Sequence, residues 1–106
     1  MPGITTSAAA RADLVGHFVY LAEEASGAVA DRFLGRVEES FALLAAEPRI
    51  GAPLTLQSPA LAGMRKWRVK DFDQFLVFYM PRPKGVLIAR VLHTSQDWWG
   101  LLGLTK

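Results

Sequence analysis

The chain contains no cysteine among its 106 residues. No disulfide can brace it, and a reducing cytoplasm is the expected compartment. No wholly apolar run approaches the roughly 20 residues that a membrane span needs. The opening residues, Met-Pro-Gly-Ile-Thr-Thr-Ser, lack a charged segment followed by an apolar one, so no signal peptide is expected. There is no glycine-rich phosphate loop and no Ser/His/Asp order. The two histidines, His17 and His93, lie far apart with no carboxylate motif beside them, so neither a metal nor a cofactor is expected. No internal repeat is visible.

What the chain has is apolar bulk and an uneven charge. Hydrophobic residues make up 51% of it, which points to a folded core and not to disorder. The length suits a single domain over residues 1–106. The net charge is +2, but residues 1–48 hold three basic against seven acidic groups, a balance of −4. Residues 49–106 hold nine basic against three acidic groups, a balance of +6. A basic C-terminal half suggests an anionic partner, either nucleic acid or an acidic protein segment.

That half contains three strand-like runs between Met64 and His93. Phe75–Met80 is apolar throughout, which fits a central strand buried on both faces. Before it, Arg65, Trp67 and Val69 alternate with Lys66, Arg68 and Lys70, the period of a strand with one basic face. After it comes Gly85–His93. The breaks at residues 71–73 and 81–85 are short, so an antiparallel meander is expected.

Ahead of the meander the period changes to that of helices. Ile4–Thr6 could supply a short edge strand. Ser7 can cap a helix from Ala8, with Leu14, Phe18, Leu21 and Ala25 inward and Asp13, His17 and Glu24 outward. Ser26-Gly27 interrupts the pattern. A second helix follows over about residues 28–46, with Val29, Phe33, Val37, Phe41 and Leu44 on one face, and Pro48 stops it. So short a connection implies an αα-hairpin. Residues 49–63 read as an irregular crossing. Thr94 and Asp97 resemble a helix start, which predicts a short terminal helix carrying Trp98, Trp99, Leu101 and Leu102. The expected fold is therefore α+β: a short N-terminal strand, a helical hairpin packed on a three- to four-stranded antiparallel sheet, and a short C-terminal helix. The face away from the helices is expected to be cationic.

Few residues suggest chemistry. His17 falls on the outward side of its helix and reads as an ordinary surface histidine. His93 ends the last strand, where it could terminate the ladder or exchange protons near a phosphate. Arg90 stands unexpectedly within the series Val86, Ile88, Arg90, Leu92. It could pair with an internal carboxylate or meet a phosphate or an acidic partner. Trp98 and Trp99 could close a core or anchor a partner.

Several segments together resemble the ParE branch of the RelE/ParE toxin superfamily. They are Arg11-Ala12-Asp13-Leu14 with Tyr20, then Ala30 and Phe33, then Pro48 with Gly51. Gly63-Met64-Arg65, Phe75–Tyr79, Arg90-Val91-Leu92-His93 and Asp97 complete the set, over residues 11–97. The resemblance implies a type II toxin, neutralised by a small antitoxin of the ParD kind whose C-terminal segment wraps it. ParE-type toxins are associated with inhibition of DNA gyrase, and RelE-type members cut messenger RNA on the ribosome. Relatives that cut RNA commonly carry an arginine in the central strand, where this chain has Leu76. The arginine frequent before the closing aspartate of ParE-type chains is Gln96 here. The resemblance therefore favours a binding inhibitor over a nuclease. If RNA were cut, Arg65, Arg90 and His93 would be the catalytic set. The residues expected to meet the antitoxin or another partner are Arg65, Lys66, Arg68, Lys70, Arg90, His93, Trp98 and Trp99. A third reading is a degenerate relative that keeps only antitoxin binding.

Overall fold

The computed structural model describes residues 3–54 and 63–96. Strand β1 (Gly3–Thr6) leads into helices α1 (Ala8–Glu24) and α2 (Gly27–Ala46). Strands β2 (Ala52–Pro53), β3 (Arg65–Val69), β4 (Phe72–Arg82) and β5 (Gly85–His93) follow. They form one sheet in the order β1-β5-β4-β3-β2, with β1 parallel to β5 and the other pairs antiparallel. Among the described residues no helix is long and apolar enough to cross a membrane.

The helix boundaries follow from local chemistry. Ser7 is extended, and its hydroxyl accepts the Ala10 amide at 2.9 Å. Ser26 does the same for Val29 at 3.1 Å. Each cap satisfies one of the amides that a first turn leaves without a partner. Helix α2 ends at Ala46, because the residue before Pro48 is sterically barred from helical geometry.

The meander is as expected, with β4 central, but the sheet has five strands where three to four were anticipated. The additional one is β2, two residues drawn from the crossing segment, too short to leave a pattern in sequence. The turns also shift. Asp71 takes a φ of 66° in the β3–β4 turn, a conformation that aspartate tolerates better than most residues. Its carboxylate pairs with Arg36 at 2.9 Å, which ties the turn to α2. Strand β4 runs on through Pro81 to Arg82, past Tyr79, which pairs with the first residue of β3. One side of β4 is an edge there, where proline is permitted.

The main core lies between the helices and one sheet face. Phe33, Val37 and Leu44 of α2 meet Val77, Tyr79, Ile88 and Val91 of the sheet. Phe33 is fully buried, and its ring packs 4.7 Å from that of Phe75 and 5.3 Å from that of Phe72. The second sheet face departs from expectation. It was expected to be cationic, yet its centre is a buried apolar cluster of Met64, Leu76, Phe78 and Leu92. Lys66 and Arg68 lie beside this cluster on β3, opposite Phe78 and Leu76. The apolar run of β4 does carry buried residues on both faces. The C-terminal helix expected around Trp98–Leu102 lies outside the described residues.

Candidate functional site

Helix α1 closes one edge of the sheet. Strand β1 accompanies β5 only from Gly85 to Ile88, so the rest of that edge needs other partners. Ser7 supplies the first two: its amide donates to Ile88 O at 3.0 Å and its hydroxyl to Ala89 O at 2.7 Å. Asp13 Oδ2 then accepts the Val91 amide at 3.0 Å. One turn on, His17 Nε2 donates to Val91 O at 2.7 Å. Gln96 ends the series: its side-chain oxygen accepts the His93 amide at 2.7 Å, and its own amide donates to His93 O at 2.9 Å.

Strand β5 carries a bulge where this closure begins. Tyr79 pairs with Ile88 and Phe78 with Arg90, so Ala89 is the additional residue. Arg90 meets Asp13 in a two-pronged ion pair, with Nε to Oδ2 and Nη2 to Oδ1 both at 2.7 Å. The arginine and aspartate side chains are only 20% and 9% exposed. The hydrogen bond that Arg90 donates to Asp13 raises the Arg90 pKa above its ordinary value, against the cost of burial. Of the two readings of Arg90, the internal carboxylate is the one observed. Asp13 and His17, expected on the solvent side of α1, are turned toward the sheet. Phe18, expected inward, is half-buried and stands outside the core cluster.

The two histidines, distant in sequence, meet in space. Phe75 lies between them, its ring centroid 4.9 Å from His17 and 5.0 Å from His93, edge to face with both. Together with Asp13, Gly16, Tyr20 and Gln96 they line a 440 Å³ cavity between α1 and the ends of β4 and β5. Burial lowers the His17 pKa, although the bond to Val91 O and the charge of Asp13 act the other way. His93 Nδ1 accepts the Ser95 amide at 3.0 Å, which leaves Nε2 to donate to Gln74 Oε1 at 3.0 Å. The Nε2 of each histidine is thus engaged with an oxygen of the fold. No described residue lining the cavity is a lysine or arginine.

The three groups anticipated for RNA cleavage do not converge. Arg65 pairs with Tyr79, four residues along β4 from Phe75, the partner of His93. Strand spacing puts the two backbones about 16 Å apart. The Arg65 guanidinium donates instead to Gly51 O at 2.6 Å and Arg49 O at 3.1 Å. Beside it, Tyr79 Oη donates to Pro48 O at 2.8 Å and accepts the Gly51 amide at 2.9 Å. This latch holds the crossing segment against the sheet.

Of the residues expected to meet a partner, Lys66 and Arg68 lie on β3 beside Leu76, and Lys70 lies in the turn after the strand, past a register shift between Arg68 and Val69. Arg65, Arg90 and His93 are engaged internally, and Trp98 and Trp99 lie outside the described residues. Sequence reading passed over Asp13, His17 and Tyr79 as functional positions. The spacing of four between Asp13 and His17, which puts both on one side of a helix, was the available signal. Among the described residues no cluster of three His, Cys, Asp or Glu could hold a metal ion.

A family profile for the ParE toxin of the type II toxin–antitoxin system parDE matches residues 4–98. No curated protein sequence matches the chain. The solved structure of a chromosomal ParDE TA system from P. aeruginosa resembles this fold with a TM-score of 0.70. That match covers 88% of this chain and 96% of the other at 18% identity, a likeness of fold.

Proposed function

The chain belongs to the ParE toxin family of type II toxin–antitoxin systems, and from that membership we propose a toxin that acts by gripping macromolecules rather than by breaking bonds. Its target in this reading is DNA gyrase, and a cognate antitoxin of the ParD kind holds it inactive in the cytoplasm. The observation that carries the reading is the dispersal of Arg65, Arg90 and His93. Cutting RNA by 2′-hydroxyl attack needs a base, an acid and a cation around one phosphate. Here Arg90 is committed to Asp13, Arg65 to the crossing segment, and His93 to Ser95 and Gln74. The partnership of toxin and antitoxin in the solved ParDE system supports a partner of that kind.

The cavity keeps a second reading in play, because it brings His93 beside His17 and Tyr20. Those are groups that could move protons in a ribosome-dependent RNase. Against it stands the lack of a cation among the described lining residues.

The test of the first reading is growth and capture. Induced toxin is expected to arrest growth, co-expression of a cognate ParD-type antitoxin to restore growth, and tagged toxin to retain gyrase from a lysate. Arrest with no gyrase retained, and with transcripts cut, would favour the second reading.

A further inference from the structure

Helix α1 turns an apolar side to solvent. Its inner side is set by Ala10, Leu14 and Leu21, which join the core, and by Asp13 and His17, which bond to β5. On the opposite side Ala8, Ala12, Val15 and Val19 are exposed and follow one another at intervals of four, three and four, the spacing of one stripe along a helix. Val15 is 65% exposed, Val19 45% and Tyr20, on the flank, 58%. Between Arg11 and Glu23 every exposed residue of α1 is uncharged. Helix α2 is the contrast, because its exposed side carries Asp31, Arg32, Glu38 and Glu39. A helix that faces water normally looks like α2, so the bare side of α1 suits a covered surface.

The ends of this side carry opposite charge. Arg11 stands near the N-terminal end, and Glu23 and Glu24 at the C-terminal end. None of the three has an ion-pair partner among the described residues. A helix marked in this way complements itself when two copies run antiparallel. A two-fold axis level with residue 17 sets Arg11 opposite Glu23 of the second copy and Val15 opposite its Val19. Gly16 permits close approach, since no atom lies within 4 Å of where a side chain there would begin. Nucleic acid and an anionic bilayer both call for a row of cations, and this side of α1 has only Arg11.

We infer that the exposed side of α1 is a self-association surface, on which a second copy of the chain docks its own α1 antiparallel, with the valines central and Arg11 against Glu23 and Glu24 at either end. Ala12, Gly16 and Tyr20 also line the cavity of the two histidines, so the contact reaches the rim of that cavity. The 17 residues of α1 give a face about 25 Å long and one helix wide. That is small for a protein interface, so the dimer forms as concentration rises and is not permanent.

Sedimentation equilibrium of the purified chain tests this. The mass should climb from 11.6 kDa toward twice that value as concentration rises through about 1–100 μM. Val15→Glu/Val19→Glu should hold the chain at its single mass with native circular dichroism, because both side chains are exposed in one copy. Arg11→Glu should weaken association about tenfold, and adding Glu23→Arg/Glu24→Arg should restore it. Introduced cysteines read the orientation, since the chain has none of its own. Val15→Cys and Val19→Cys chains, mixed and oxidised, should cross-link to each other more than to themselves. A single mass throughout, a dimer unmoved by the valine variant, or Val15→Cys linking chiefly to itself would overturn the proposal. So would a chain of single mass whose valine variant loses binding to a ParD-type antitoxin or to anionic vesicles, which would assign the face to that partner.

Discussion

Asp13 faces Arg90 across the junction of α1 and β5 and holds it by two hydrogen bonds of 2.7 Å. The same carboxylate takes the amide of Val91. One side chain thus neutralises an arginine inside the fold and helps to close the strand edge that β1 leaves uncovered beyond Ile88.

Asp13→Asn should keep an acceptor for Val91 yet strand the charge of Arg90. We expect a loss of about 2 kcal/mol, below the range for a fully buried pair because the arginine is 20% exposed. Urea unfolding measures it. Adding Arg90→Met should recover most of that loss, since both charges are then gone. An unchanged midpoint in Asp13→Asn would show that the pair contributes nothing.

The latch at Tyr79 is a separate support. Tyr79→Phe removes the partner of Pro48 O and of the Gly51 amide, and should cost about 1–3 kcal/mol in the same assay. Gly51→Ala should also destabilise, because its methyl would lie 2.8 Å from Lys66 O and 2.7 Å from the Tyr79 ring. Burial raises the Tyr79 pKa. Above pH 10 the wild type should therefore lose stability that Tyr79→Phe does not lose.

These two contacts illustrate what the sequence could disclose. Ser7, Ser26 and Pro48 are local signals, and they placed the helix boundaries to within a residue. The apolar run of Phe75–Met80 disclosed the central strand for the same reason. Asp13 and His17 were misjudged because a polar residue on a helix is normally solvated, and no local rule announces a strand edge in need of donors and acceptors. Arg90 was ambiguous because the bulge at Ala89 breaks the period of two on which facing arguments depend. The supposed cationic face came from reading β3 alone. Its cations are real, but β4 supplies the centre of that face and is apolar there.

His17 gives a pH dependence with a definite sign. Its pKa in the fold lies below the ordinary 6.5, chiefly through burial. The unfolded chain therefore binds the proton more readily, and stability should fall as pH drops below 6.5 toward the lowered value. Asp13, which favours the proton, and His93 and Arg90, which oppose it, are the charged or titratable groups acting on His17. Chemical unfolding at intervals from pH 8 to pH 5 should show a steeper decline in wild type than in His17→Gln, which keeps a donor for Val91 O. Parallel curves would contradict the burial argument.

The most direct measurement is a paired assay of purified toxin: supercoiling of relaxed plasmid by gyrase, and end-mapping of a transcript under translation. The account predicts that supercoiling stops while the transcript stays full length, and that His93→Ala leaves the transcript equally intact. Ribosome-dependent cuts made by the wild type and lost in His93→Ala would contradict it.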